Sequence, residues 1–205
     1  MPLSPPARSL ALIVALLAVA SLVAQFTASQ ITHPDEGLFA TLWRLGRFFT
    51  ILTNAMVAVT FAVLTWRGRV ASSVWLGGVA LWIAITGVVY HLLLAATDNQ
   101  TTVIGWWANI GVHTVVPLAT FAWWLAFAPR RGLSVTAAAL WMLWPTIYVC
   151  YALARGQMDG IYPYFFTDPN KVGWSGVVTW IVILATAFFV AGLAQIALAR
   201  IIRHR

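Results

Sequence analysis

Apolar residues in this chain run almost unbroken for about twenty positions at a time, and short polar stretches separate the runs. Six runs can be drawn, over 10–27, 42–66, 74–96, 103–127, 135–153 and 177–201. A helix of roughly 20 apolar residues spans a hydrocarbon core of about 30 Å, so each run predicts a transmembrane helix. The first run follows Arg8 and ends at Thr27-Ala28-Ser29, which resembles a signal-peptide cleavage site. Its apolar part is longer than a usual signal core, so it is read as a span. No internal repeat and no low-complexity tract appears. The prediction is an all-α integral membrane protein, one six-helix transmembrane bundle over residues 1–205. Small residues such as Gly77, Gly87, Gly111 and Gly192 would let its helices approach closely.

Composition agrees with this pattern. The chain is 61% hydrophobic and 8% charged, with a mean hydropathy of +0.87. Soluble domains carry about 25% charged residues, so a water-soluble globule is excluded. Cys150, the single cysteine, lies within an apolar run, so neither a disulfide framework nor a cysteine metal site is expected. The net charge of +7 is spread over loops and tails without a basic stripe, which argues for membrane orientation and against nucleic-acid binding.

Charge placement predicts the topology. Arg8, Arg67, Arg69, Arg130, Arg131, Arg200, Arg203 and Arg205 fall on one side of the six spans. Arg44, Arg47, Arg155 and Lys171 fall on the other, with all five acids: Asp35, Glu36, Asp98, Asp159 and Asp168. The positive-inside rule then puts both termini in the cytoplasm of a multi-pass inner (plasma) membrane protein. Two outer segments are long. Residues 29–41 contain His33-Pro34-Asp35-Glu36, and residues 155–171 contain Tyr162-Pro163-Tyr164-Phe165-Phe166 and Asp168-Pro169. Such a proline- and aromatic-rich segment is either an interfacial belt or a lid.

Polar groups inside the runs mark the candidate chemistry. The stretch 106–117 carries His113 near the middle of an uncharged run, with Asn109 one turn before it and Pro117 one turn after. Proline has no N–H for the His113 carbonyl, and an ionisable group beside a helix defect in a membrane span is a functional-site hypothesis. The second span places Arg47, Thr50 and Asn54 at i, i+3 and i+7, on one face of a continuous helix. The third ends Thr86-Gly87-Val88-Val89-Tyr90-His91. Each has an ordinary reading too. Threonines bond their own i−4 carbonyls, asparagine joins packed helices, and arginine snorkels to the interface.

A threonine hydroxyl becomes a nucleophile only with a base within hydrogen-bond reach. His113, held neutral inside an apolar run, can accept that proton. A Thr–His pair with Asn or Arg donors for an oxyanion would support acyl transfer or ester hydrolysis. No carboxylate lies in the apolar runs to orient the base; Asp168 or Asp98 would have to reach it from the loops.

These residues carry a resemblance. Arg47-Phe48-Phe49-Thr50 is similar to the basic–aromatic–apolar–Thr motif of the androgen-induced and androgen-dependent transmembrane hydrolases, and His113-Thr114-Val115-Val116-Pro117, with one residue fewer before the proline, to their His-Thr-x-x-x-Pro motif. Gly87-Val88-Val89-Tyr90-His91, Tyr162-Pro163-Tyr164 and Asp168-Pro169 resemble the bacterial six-helix branch, and the likeness covers essentially the whole chain. The resemblance implies an intramembrane hydrolase of fatty acid esters of hydroxy fatty acids, with Thr50 as nucleophile and His113 as base. Thr53 is a rival nucleophile. Arg47, Asn54 and Asn109 are candidate donors to an oxyanion or a substrate carboxylate, with Tyr90, His91 and Asp168 as further substrate-side candidates. Neither cofactor nor metal is expected, and the partners would be membrane lipids and a lipid ester.

Two other classes compete with this reading. A small transporter or channel would also use inward polar residues and the helix-breaking Pro117 and Pro145, although no charge lies at a midplane. A haem protein would use His91 and His113, on adjacent spans, as axial ligands.

Overall fold

The computed structural model describes residues 1–203; Arg205, counted above with the C-terminal cations, lies outside them. Nearly all of the described chain is helical, and among the described residues the one β-type pairing is an isolated bridge between Pro2 and Arg69. Among the described residues six helices are long and apolar enough to cross a membrane: Pro5–Thr32, Phe49–Arg67, Ser73–Thr97, Val103–Phe127, Val135–Asp159 and Pro169–Ile202. This is a multi-pass membrane protein. Its contacts divide it into two compact units, Met1–Arg131 and the part from Gly132 onward, with the boundary in the polar loop between the fourth and fifth runs.

In the first unit, helix α1 (Pro5–Thr32) starts on Ser4, whose hydroxyl accepts from the Ala7 N–H at 3.4 Å, with Pro5 and Pro6 in the first turn. Its buried face is a stripe of small residues, Ala7, Ala11, Val14, Ala15 and Ala18, which allows near contact with its neighbours. The predicted second span is not one helix. It divides into α2 (Leu38–Leu45) and α3 (Phe49–Arg67), and of the two only α3 is long and apolar enough to cross. At the break the Gly46 N–H bonds Leu42 O at 2.8 Å, while the N–H groups of Arg47 and Phe48 reach back only three residues, to Arg44 O and Leu45 O. Phe48 is extended (φ −91°, ψ 130°). This tightening at a glycine, a poor helix former, ends one helix and starts the next. The α1–α2 corner is tied by the Arg44 Nε–Glu36 Oε2 pair at 3.0 Å and by Arg44 to Ser29 Oγ at 2.6 Å.

Helix α4 (Ser73–Val89) is the most enclosed, with nearly every residue from Leu76 to Gly87 buried. It continues into a wide π-helical turn, Tyr90–Leu94, closed by the Ala95 N–H on Tyr90 O five residues back. The fourth span is α5 (Val103–Ile110), a second π-helical turn over Gly111–Val115, and α6 (Val116–Phe127). Here the Val116 N–H bonds Gly111 O, again five residues back, and Pro117 has no N–H to offer. A glycine on the adjoining helix makes room for the defect. A Cβ on Gly87 would sit 2.8 Å from His113 O and 3.3 Å from Pro117 Cβ. A Cβ on Gly111 would collide with Ser21 of α1.

The second unit holds α7 (Val135–Trp141), α8 (Leu143–Asp159) and α9 (Pro169–Arg203). Pro145, in the first turn of α8, explains the step between α7 and α8, because it cannot donate to the preceding turn. The aromatic segment between α8 and α9 lies on α9: Phe165 meets Trp180 edge-on at 5.5 Å between ring centroids, and Phe166 lies 5.9 Å from the same ring.

Candidate active site

Break and π-helical turn converge on one pair of side chains, both in the first unit. Thr50 is the second residue of α3, immediately after the break, and is buried. His113 is the middle residue of the π-helical turn. Thr50 Oγ1 lies 3.2 Å from His113 Nε2, within hydrogen-bond reach. Of the two rival threonines, Thr50 is the one that meets the imidazole; Thr53 is fully buried one turn along.

The other ring nitrogen is held as well. His113 Nδ1 lies 2.6 Å from Asn109 Oδ1, one turn earlier on the same span. Asn109 Nδ2 donates to the Tyr90 hydroxyl at 2.5 Å, and that hydroxyl donates to Asp98 Oδ2 at 2.9 Å. Gln100 Nε2 donates to the second carboxylate oxygen, Asp98 Oδ1, at 2.8 Å. The Tyr90 ring also stacks on His113, centroids 3.8 Å apart and planes 12° apart. Thus Asp98 reaches the base from its loop through two intervening side chains, and the base touches Asn109 directly.

Asn54 takes the ordinary role of an asparagine that joins packed helices, and not that of a free donor. Its Nδ2 donates to Thr50 O at 2.9 Å and to Val112 O at 3.1 Å, so both amide hydrogens are committed. The Val112 carbonyl needs this donor, because the Val116 N–H goes to Gly111 O and Pro117 has none. Asn54 therefore ties α3 to the π-helical turn and fixes the spacing of Thr50 and His113. Its Oδ1 is buried without a partner.

The remaining candidates separate. Arg47 is buried, but it stands in the break ahead of α3, so the single helical face expected for Arg47, Thr50 and Asn54 holds only for the last two. His91 Nε2 lies 3.0 Å from Thr114 Oγ1, a second His–Thr contact between the two π-helical turns, on the exposed side. Asp168 belongs to the second unit, where its Oδ1 accepts from the Asn170 N–H at 2.9 Å and caps the start of α9. For haem ligation His113 has no uncommitted ring nitrogen, and the Tyr90 ring packs on both imidazoles, edge-on to His91 at 5.1 Å. Sequence reasoning missed Gln100, the break at Gly46 and the π-helical turn at Tyr90. For Gln100 the available signal was its place, with Asp98, just past the end of the tyrosine-bearing span.

Fold and site together define a class: an all-α, multi-pass membrane protein with a Thr–His pair held by buried polar side chains within its first unit. No family model, no curated protein and no solved structure matches the chain.

Proposed function

We propose that this protein is an intramembrane lipid ester hydrolase in which Thr50 is the nucleophile and His113 the general base. The observation that carries the reading is the 3.2 Å approach of Thr50 Oγ1 to His113 Nε2, with Nδ1 engaged elsewhere. The motif likeness to the androgen-induced and androgen-dependent transmembrane hydrolases supports the same assignment and a substrate resembling fatty acid esters of hydroxy fatty acids. The charge pattern supports an inner-membrane location with both termini cytoplasmic.

The chemistry balances with the residues at hand. Thr50 Oγ1 attacks the ester carbonyl carbon as its proton passes to His113 Nε2. The tetrahedral intermediate collapses, the carbonyl–alkoxide bond breaks, and His113 returns the proton to the departing alcohol. Water then attacks the acyl-Thr50 ester, gives its proton to Nε2, and releases the fatty acid with the Thr50 hydroxyl restored. Asn54 is not the oxyanion donor, since both its hydrogens are used. The first turn of α3 supplies the alternative. The N–H groups of Thr50 and Ile51 precede the first intrahelical bond, Leu52 N–H to Phe48 O, and lie at the positive end of the helix dipole. Arg47, just ahead of them, would favour a substrate with a free carboxylate.

A fluorophosphonate probe tests the nucleophile. The expected result is one modified residue, Thr50, located by peptide mass spectrometry, with labelling lost in His113→Ala. Labelling that persists in a folded Thr50→Ala protein would remove the assignment.

A further inference from the structure

The chain of side chains behind His113 has a direction, and its far end determines which ring nitrogen carries the proton. Hydrogen positions follow from the partners. Asp98 Oδ2 can only accept, so the single Tyr90 hydroxyl hydrogen points to it at 2.9 Å. The Tyr90 oxygen must then accept from its other neighbour, which turns the Asn109 amide so that Nδ2 faces it at 2.5 Å. Asn109 Oδ1 is thereby left facing His113 Nδ1 at 2.6 Å, and an amide oxygen there requires a hydrogen on Nδ1. A neutral imidazole with hydrogen on Nδ1 has its lone pair on Nε2, toward the Thr50 hydroxyl at 3.2 Å. Every donor in the series points the same way, from Thr50 toward Asp98. Gln100 Nε2, at 2.8 Å from the other carboxylate oxygen, holds the anchor in place.

We propose that Asp98, Tyr90 and Asn109 form a polar wire that selects the base-competent tautomer of His113, with the Asp98 carboxylate as its anchor. They are positioning residues: Asp98 acts on the imidazole only through the other two. Without the carboxylate the Tyr90 hydroxyl can donate to the Asn109 amide oxygen. The amide then turns over, Nδ2 faces His113 Nδ1, and the ring hydrogen moves to Nε2, where it points at Thr50 and blocks proton transfer. This inference gains its catalytic meaning from the hydrolase reading, but the tautomer can be measured without it.

The test is 15N NMR of histidine-labelled protein in lipid nanodiscs, with the His113 signals identified by their loss in His113→Gln. Wild type is expected to show a protonated Nδ1 and a bare Nε2. Asp98→Ala and Tyr90→Phe are expected to move hydrogen to Nε2 in a majority or a large fraction of molecules. The phenylalanine keeps the ring that stacks on His113, so it serves as the variant that preserves packing, with an unchanged melting temperature as its control. Asp98→Glu is expected to restore the wild-type tautomer. On a lipid ester, turnover should fall about 100-fold in Asp98→Ala with little change in KM, the scale of losing a general base. Retention of the wild-type tautomer in both Asp98→Ala and Tyr90→Phe would overturn the wire. If the tautomer shifts as expected but wild type hydrolyses no ester, the wire stands and the hydrolase reading fails.

Discussion

At the scale of single residues, the polar groups inside these spans divide by what their hydrogen-bonding capacity leaves over. Thr50 and His113 face one another, Asn109 and Tyr90 lie behind the imidazole, and both amide hydrogens of Asn54 are used in joining backbone. That last assignment makes a prediction distinct from catalysis. Asn54→Leu leaves the Val112 carbonyl buried without its donor, a loss of about 1–3 kcal/mol. A drop in melting temperature in detergent should accompany the loss of activity, whereas Thr50→Ala should lose activity with its melting temperature kept. Thr50 and His113 were legible in the sequence because polar groups stand out in apolar runs. That Asn54 could join helices was legible too; which carbonyl it serves was not, since that carbonyl is orphaned on another span.

At the scale of elements, the site is made where helices depart from regularity. The break at 46–48 puts Thr50 in a first turn, and the π-helical turn at Gly111–Val115 aims His113. Pro117 announces the second defect in the sequence; Gly46, between Leu45 and Arg47, announces the first only weakly, because a single glycine lowers helix propensity without ending a helix by itself. The π-helical turn at Tyr90–Leu94 has no proline and was not visible at all. Replacing Pro117 by alanine should test the role of the wide turn. It supplies the missing N–H, allows α-helical closure, and should rotate His113 away from Thr50. Turnover is expected to fall at least about 10-fold while thermal stability holds or rises, the trade expected when a functional defect in a helix is made regular. Unchanged turnover would mean that the π-helical turn does not position the base.

At the scale of the whole molecule, six apolar helices were legible from run lengths alone, because a bilayer sets the same length for each. The division at Arg131 was not, since it falls in a short polar loop that hydropathy does not distinguish from the other loops. The Thr–His pair and the side chains behind it lie within the first unit, which exposes Trp106 and Trp107 toward one end and Trp66 and Trp75 toward the other. Exposed tryptophans of this kind mark membrane interfaces. His113 lies seven residues beyond Trp106 along the span, about 10 Å below that interface at the helical rise. A lipid ester linkage would therefore meet Thr50 within the hydrocarbon layer, on the side of the membrane that carries Asp98. Charge placement predicts that side to be the outer one. Single cysteines at Glu36 and Asp98, in a Cys150→Ser background, should react with an impermeant maleimide added outside cells, and one at Arg69 should not. The reverse pattern would invert the topology.

The central claim is that Thr50 and His113 form a nucleophile–base pair, and turnover of a lipid ester tests it most directly. Wild type, Thr50→Ala and His113→Ala, each reconstituted in nanodiscs and shown to be folded by its melting temperature, would be given fatty acid esters of hydroxy fatty acids, with released fatty acid measured by mass spectrometry. The account predicts hydrolysis by wild type and a loss of at least about 100-fold in each variant. A folded Thr50→Ala protein that turns over at the wild-type rate would contradict it.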